Sequence, residues 1–335
     1  MNNLKQKYIN EKSVIGLKIT EQKRKLRQTF SKAKTIFIMA HKNLDLDALG
    51  SSIGLAFLLQ RKNKNSFLII NDKDHELGVE KVLQELDGCL NIIKGKEVEK
   101  NLYLRSSRNL LIILDTNKKN LVQDEGVLDF FDEDRIIILD HHELGETSFP
   151  CYFRIIDNEI SSTCEMITIL IESYRINLDP YYATLLLSGI VLDTNNFTLK
   201  TNKETYYSAY FLACMGASPR KVQYLLKQEL EDYRERQKLM TNVDIIDEKI
   251  AIAKGSPYAI YRKEDLAKMA DTLLFFNKIE LSFVIAKTSE NITSVSGRSI
   301  GKRSISPILE RIGGGGDKMG GAAQFKNMSI SKVEE

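Results

Sequence analysis

The sequence predicts an α/β protein: a parallel sheet covered by helices on both faces, joined through a helical connector to a smaller α+β domain. Three observations carry this expectation. Four runs, IFIMAH (36–41), FLIIND (67–72), LLIILD (110–115) and RIIILD (135–140), are apolar without alternation and of strand length, as strands buried on both faces must be. The stretches between them, such as Leu49 to Gln60 and Val79 to Leu86, can be helical, giving the alternation a parallel sheet requires. Beyond residue 201 a long, charged, helical stretch precedes a second set of alternating runs.

In chain order, residues 1–34 are polar and basic, with ten Lys and Arg against Glu11 and Glu21. A solvated helix or tail is the first expectation, and contact with a phosphate-rich or anionic lipid surface the second. Residues 35–201 hold the four apolar runs and form the larger domain. Within it, Leu185 to Leu192 carries Ser188 and Gly189 inside an apolar run closed by Asp193; periodicity leaves a buried helix and a strand equally open. Residues 202–242 read as a helical connector broken once, at Gly216 and Pro219. Residues 243–335 supply IDEKIAIAKG (246–255), a helix near Lys263 to Phe275, ELSFVIAK (280–287) and ITSVSGRS (292–299), which together make the smaller α+β domain.

With 335 residues, 43% hydrophobic and 28% charged, the composition is that of a folded globular chain. A net charge of +3 gives no strong global field, so partners must be read from sites. No apolar run approaches the roughly 20 residues of a membrane span, and MNNLKQKYINEKSVIG lacks the apolar stretch of a signal peptide. A soluble, cytoplasmic protein is expected. Cys89, Cys151, Cys164 and Cys214 stand far apart with no C-x-x-C pair, which excludes a disulfide framework and a cysteine zinc site and predicts reduced thiols.

The chemistry gathers around histidine. Three of the four histidines, His41, His141 and His142, stand beside carboxylates at the ends of apolar runs. His41, Asp45 and Asp47 share the loop HKNLDLD; Asp115 ends LLIILD; Asp140, His141 and His142 end RIIILDHH; Asp193 ends SGIVLD. The carboxyl ends of parallel strands share one edge, the usual place for a site. Carboxylates gathered there repel each other unless a cation binds. Imidazole plus carboxylate without thiolate suits manganese, iron, magnesium or zinc, and the oxygen excess favours manganese. Six or seven donors exceed the needs of one ion, and two divalent ions sharing a carboxylate would use the whole set and clamp a phosphate ester.

The pieces HKNLDLDALGS (41–51), LDT (114–116), LDHHELGE (139–146) and GIVLDTNNFTLKT (189–201) resemble, in order, the four motifs of the DHH phosphoesterase superfamily. ADTLL (270–274), SFVIAK (282–287), GRSIG (297–301) and GGGG (313–316) resemble its DHH-associated C-terminal domain. Residues 35–325 are covered, and the likeness is nearest to the catalytic module of GdpP-type cyclic-di-AMP phosphodiesterases. The resemblance implies a manganese-dependent enzyme opening cyclic-di-AMP to linear pApA, with further cutting to AMP as an option, a homodimer, and a free cytosolic version of the module. The alternative within the superfamily is a nanoRNase or pAp phosphatase acting on short single-stranded RNA or 3′-phosphoadenosine 5′-phosphate.

By resemblance, His41 and Asp45 hold the first ion, Asp47, His141 and Asp193 the second, and Asp115 bridges them. His142 and Asp140 stand behind the ligands as catalytic candidates; a protonated His142 assists the departing ribose oxygen or holds a phosphate oxygen. Ser162 and Thr163, in the segment Ser161 to Glu165, match a loop that faces substrate in the family, although Ser162 and Glu165 also spell a helix-capping box. Arg298 and Ser299 are expected at the substrate, since a guanidinium grips phosphate bidentately. Gly314, Gly315 and Gly316 let backbone N–H groups approach a ligand. The family follows this glycine run with a phosphate-contacting histidine, and this chain has Asp317, a carboxylate that repels phosphate unless Lys318 or a metal compensates.

Overall fold

The computed structural model describes residues 17–71, 75–86, 88–100, 108–144, 148–316 and 318–335. The chain divides into two compact units, one ending at Lys227 and the other beginning at Gln228.

The first unit is α/β, with elements α1 (Leu17–Lys32), β1 (Thr35–Met39), α2 (Leu46–Arg61), β2 (Asn65–Ile69), α3 (Leu77–Glu85), β3 (Ile92–Ile93), α4 (Gly95–Lys100) and β4 (Leu110–Leu114). There follow β5 (Ile136–Asp140), β6 (Phe153–Ile156), α5 (Thr163–Ser173), α6 (Pro180–Asp193), α7 (Lys203–Cys214) and α8 (Pro219–Leu225). Its six strands run in the order β3-β2-β1-β4-β5-β6, every neighbouring pair parallel. The strand order reverses between β1 and β4, so the crevice at their carboxyl ends is the topological switch point where such sheets bind ligands.

The four apolar runs are β1, β2, β4 and β5, and their side chains divide between two cores. Ile36, Ile38, Leu110, Ile112, Leu114, Ile137 and Leu139 pack under α2, α5 and α6. Phe37, Met39, Leu111, Ile113, Ile136 and Ile138 pack on the other face with Val98, Val122, Val127 and Phe149. Burial on both faces is why these strands read as unbroken hydrophobic runs. Helix α1 is not a solvated tail: Leu26 and Phe30 enter the first core, and Lys25 lies over the rings of Tyr152 and Phe153. The run closed by Asp193 is a helix, α6, with Asp179 as its N-cap and Pro180 in its first turn.

Helix α6 crosses α2 and α5 closely at Gly189. A Cβ there would lie 2.4 Å from Cys164 Sγ and 2.8 Å from both Cα and Oδ1 of Asp47. In an exposed helix, Gly→Ala stabilises by about 1 kcal/mol. Here the sign reverses: Gly189→Ala is expected to destabilise by about 1–3 kcal/mol through overpacking. Urea denaturation checks this; an unchanged or raised midpoint rules out the close crossing.

The second unit contains α9 (Leu230–Gln237), β7 (Val243–Ile246), β8 (Ile250–Lys254), α10 (Lys263–Leu273), β9 (Leu281–Ser289), β10 (Ile292–Ser299), α11 (Ser306–Arg311), β11 (Gly315–Gly316), β12 (Gly320–Lys326) and α12 (Ile330–Glu334). Its sheet runs β11-β12-β10-β9-β8-β7. Only β8 and β9 pair in parallel, and α10 makes their crossover; the other pairs are antiparallel. The helical stretch 202–242 is shared between the units, α7 and α8 lying in the first and α9 in the second.

Candidate metal centre

The site forms at the switch point from the loops after β1, β4 and β5 and the ends of three helices. Asp45 is the N-cap of α2: its Oδ1 accepts from the N–H groups of Asp47 and Ala48, both at 2.9 Å. Its Oδ2 remains toward His41, 3.7 Å from Nε2. Asp115 follows β4 with φ +60°, in the left-handed region that Asp tolerates better than most residues. Its carboxylate is nearly fully buried and divided in direction. Oδ2 lies 3.3 Å from His41 Nε2, and Oδ1 lies 3.3 Å from His141 Nε2. His141 Nε2 is also 3.2 Å from Oδ2 of Asp193, the last residue of α6.

The candidate ligand atoms fall into groups, each within 4.8 Å: His41, Asp45 and Asp115; Asp47, His141 and Asp193; and Asp115, His141 and His142. Every residue expected as a ligand is therefore brought together. The arrangement fits divalent cations. His141 Nε2 faces two carboxylate oxygens yet makes a hydrogen bond in proper geometry to neither, which suits donors converging on a shared ion. Asp193 sits where the helix dipole is negative, so a nearby cation relieves a further cost.

Electrostatics agree. Burial alone would lower the pKa of His41, but the Asp115 and Asp45 carboxylates beside it raise it well above the usual imidazole value. His141 behaves likewise, burial being outweighed by Asp115 and Asp193. Burial pushes Asp47 well up, with Asp115 and Asp193 adding repulsion, and burial also raises Asp193. Asp115 goes the other way: despite burial, His141 and His41 hold it well below the carboxylate range.

Asp140 and His142 form a pair behind this cluster. His142 Nδ1 is 2.8 Å from Asp140 Oδ1, which also accepts the His142 N–H at 3.1 Å. Asn117 Nδ2 donates to Asp140 Oδ2 at 2.7 Å. Both oxygens of Asp140 are thus engaged in holding neighbours, while the His142 side chain is 52% exposed.

Ser162 and Thr163 are fully buried. Ser162 caps α5, its Oγ accepting the Glu165 N–H at 3.0 Å. Thr163 is turned to the carboxylates: its hydroxyl donates to Asp115 Oδ1 at 2.9 Å and its N–H to Asp47 Oδ2 at 2.8 Å, while the Cys164 N–H donates to Asp47 Oδ1 at 2.8 Å. In the second unit, Arg298 pairs with Asp271 through Nε at 3.0 Å and donates Nη1 to the Gly297 carbonyl. Ser299 is buried and holds a turn, its Oγ donating to the Arg303 carbonyl and accepting from the Gly301 N–H. Gly314 packs beneath β12, where a Cβ would lie 2.4 Å from the Ala322 carbonyl oxygen. Gly315 and Gly316 form exposed β11. Asp317 lies outside the described residues.

Sequence reasoning missed Gln123, whose Nε2 donates to the His41 carbonyl at 2.9 Å and whose Oε1 accepts the Asn71 N–H at 3.2 Å. This bond fixes the His41 loop. Asn117 was missed too. Neither carries a local signal, since a lone amide in a loop has no periodicity.

Residues 35–190 match the DHH family, N-terminal domain. With this sheet and this His/Asp cluster, the chain belongs to the DHH superfamily and is GdpP-like in sequence. It is 34% identical over 314 residues to the cyclic-di-AMP phosphodiesterase GdpP of Geobacillus thermodenitrificans, covering 92% of this chain and 47% of that protein. It is 30% identical to the cyclic-di-AMP phosphodiesterase PdeA of Listeria monocytogenes, covering 92% of this chain and 48% of the relative. The chain thus spans about half the length of these curated relatives. An exopolyphosphatase-related protein from Bacteroides fragilis shares the fold, with a TM-score of 0.76, 22% identity and 94% of each chain covered. Among the described residues, no helix is long and apolar enough to cross a membrane.

Proposed function

We propose that this chain is a divalent-metal-dependent phosphodiesterase that opens cyclic-di-AMP to linear pApA, with manganese as the preferred ion. The observation that carries the reading is Asp115, whose two oxygens face different donor sets. Likeness over 92% of the chain to proteins named cyclic-di-AMP phosphodiesterases supports the choice of substrate. His41, Asp45 and Asp115 would hold one ion, and Asp47, Asp115, His141 and Asp193 the other. When bound, such ions supply Lewis-acid chemistry, lowering the pKa of water and neutralising phosphate charge.

The chain's own residues do the rest. Asp140 holds the His142 ring through Nδ1, which fixes the ring as the candidate to give a proton to the leaving ribose oxygen. Arg298, kept in place by Asp271, offers a guanidinium suited to phosphate, whereas the Gly314 N–H is already given to the Leu309 carbonyl at 2.8 Å. His142→Ala is expected to lower kcat about 10²–10⁴-fold, the usual range for a positioned acid, with metal content unchanged. Full turnover in that variant removes His142 from the mechanism.

The reading as a whole is tested by incubating metal-stripped protein, with and without manganese, with cyclic-di-AMP, pApA, short oligoribonucleotides and pAp, and separating the products. Manganese-dependent conversion of cyclic-di-AMP to pApA is expected. Hydrolysis of the linear substrates alone would replace this reading with that of a nanoRNase or pAp phosphatase.

A further inference from the structure

We infer that Thr163 is a positioning residue that sets the Asp115 carboxylate between the two ion sites, and that its hydroxyl governs the affinity of the His141-side site. The inference rests on the two-ion reading above. A carboxylate turns easily about its last bond, because sp³–sp² torsions have broad wells. For Asp115 to serve two sites, one oxygen must stay on each side. Oδ2 is directed to His41. Oδ1 is directed to His141, and it is this oxygen that receives the Thr163 hydroxyl at 2.9 Å.

The same residue reaches the other carboxylate of that side. The Thr163 N–H and the Cys164 N–H each hold one oxygen of Asp47 at 2.8 Å. Asp47 is therefore oriented by the main chain and Asp115 by a side chain, both from the first turn of α5. That turn is itself anchored. Ser162 caps it, and Glu165 Oε2 accepts from the Ser161 N–H at 3.1 Å and the Thr205 hydroxyl at 2.9 Å, tying α5 to α7. Thr163, Asp47 and Asp115 are all buried, so water is a poor substitute for the hydroxyl.

Removing the hydroxyl leaves the Asp47 contacts, which are main-chain, and frees only Asp115 Oδ1. Groups that orient metal ligands typically contribute 10–100-fold in metal affinity. Thr163→Val is therefore expected to weaken manganese binding by about 10–100-fold on the His141 side and to leave the His41-side ion unchanged. Thr163→Ser, which keeps the hydroxyl, is expected to restore it.

The test is calorimetric titration of metal-stripped wild type, Thr163→Val, Thr163→Ala and Thr163→Ser with manganese, alongside thermal unfolding in chelator. Two binding steps in wild type, one selectively weakened in Val and Ala and recovered in Ser, with every variant still unfolding cooperatively in chelator, is the expected result. Superposed wild-type and Val isotherms overturn the positioning role, as does a Ser variant as defective as Val. Equal weakening of both steps overturns it too. Should Val fail to fold, Ala carries the comparison. A wild type that takes up a single ion instead overturns the two-ion reading itself, and is told apart because no variant is needed to see it.

Discussion

Asp115→Ala is expected to abolish metal-dependent hydrolysis, a loss of at least about a thousandfold. Metal ions supply several kcal/mol of transition-state stabilisation, and each 1.36 kcal/mol is tenfold in rate. Asp115 is the carboxylate that faces both His41 and His141, so its removal damages two donor sets where loss of Asp45 or Asp193 damages one. The substitution also leaves the buried Thr163 hydroxyl without its acceptor, which costs about 1–3 kcal/mol of stability. Metal content by elemental analysis and product chromatography check the outcome. Two ions retained per chain, with turnover within tenfold of wild type, would disprove the shared-carboxylate reading.

Metal affinity should climb steeply with pH. In the metal-free protein His41 and His141 are raised well above 6.5 by Asp115, Asp45 and Asp193 against the opposing effect of burial. A cation must displace their protons, and each proton released changes affinity about tenfold per pH unit. The window begins near the ordinary imidazole value and extends upward to the raised ones. The stability of the metal-free protein runs the opposite way. Groups raised in the folded state stabilise the metal-free protein fully below the unfolded value, and that contribution fades as pH rises through the folded value. The ion binds better over the same window, so the gap in melting temperature between metal-loaded and metal-free protein should widen from pH 6 to pH 8.5. Calorimetry in two buffers of different ionisation enthalpy counts the protons directly. A gap that is constant or narrows with pH would show that the imidazoles are neutral before metal arrives.

The sheet was legible because β1, β2, β4 and β5 are buried on both faces and so spell continuous apolar runs. Strands β3 and β6 were not anticipated. Two residues, Ile92 and Ile93, carry no period, and Phe153 to Ile156 is half-exposed with Arg154 inside it. Strand β12 was hidden because GGAAQF has neither an apolar run nor a regular alternation, although its backbone pairs along β10. The His/Asp cluster was legible because its members end runs or share one loop. The secondary structure around Asp193 stayed open, since a helix buried on all sides, as α6 is, has no apolar stripe. The clamp of α5 on Asp47 was invisible, because main-chain N–H groups carry no residue identity. Thr163 was read as part of a substrate-facing loop or of a capped helix start, and nothing in the sequence ties its hydroxyl to Asp115.

The spread of the donors from His41 to Asp193 bears on how the protein is made. Loop-closure entropy must be overcome before contacts between distant segments form, so the His41 set waits for β4, and the set with Asp193 is not complete until the chain through α6 has been synthesised and folded against β1 and β4. The site is therefore assembled by the fold and does not nucleate it. An ion arriving afterward stabilises only the native state, by mass action. Scarcity of metal should consequently leave a folded, idle protein that can be switched on without refolding.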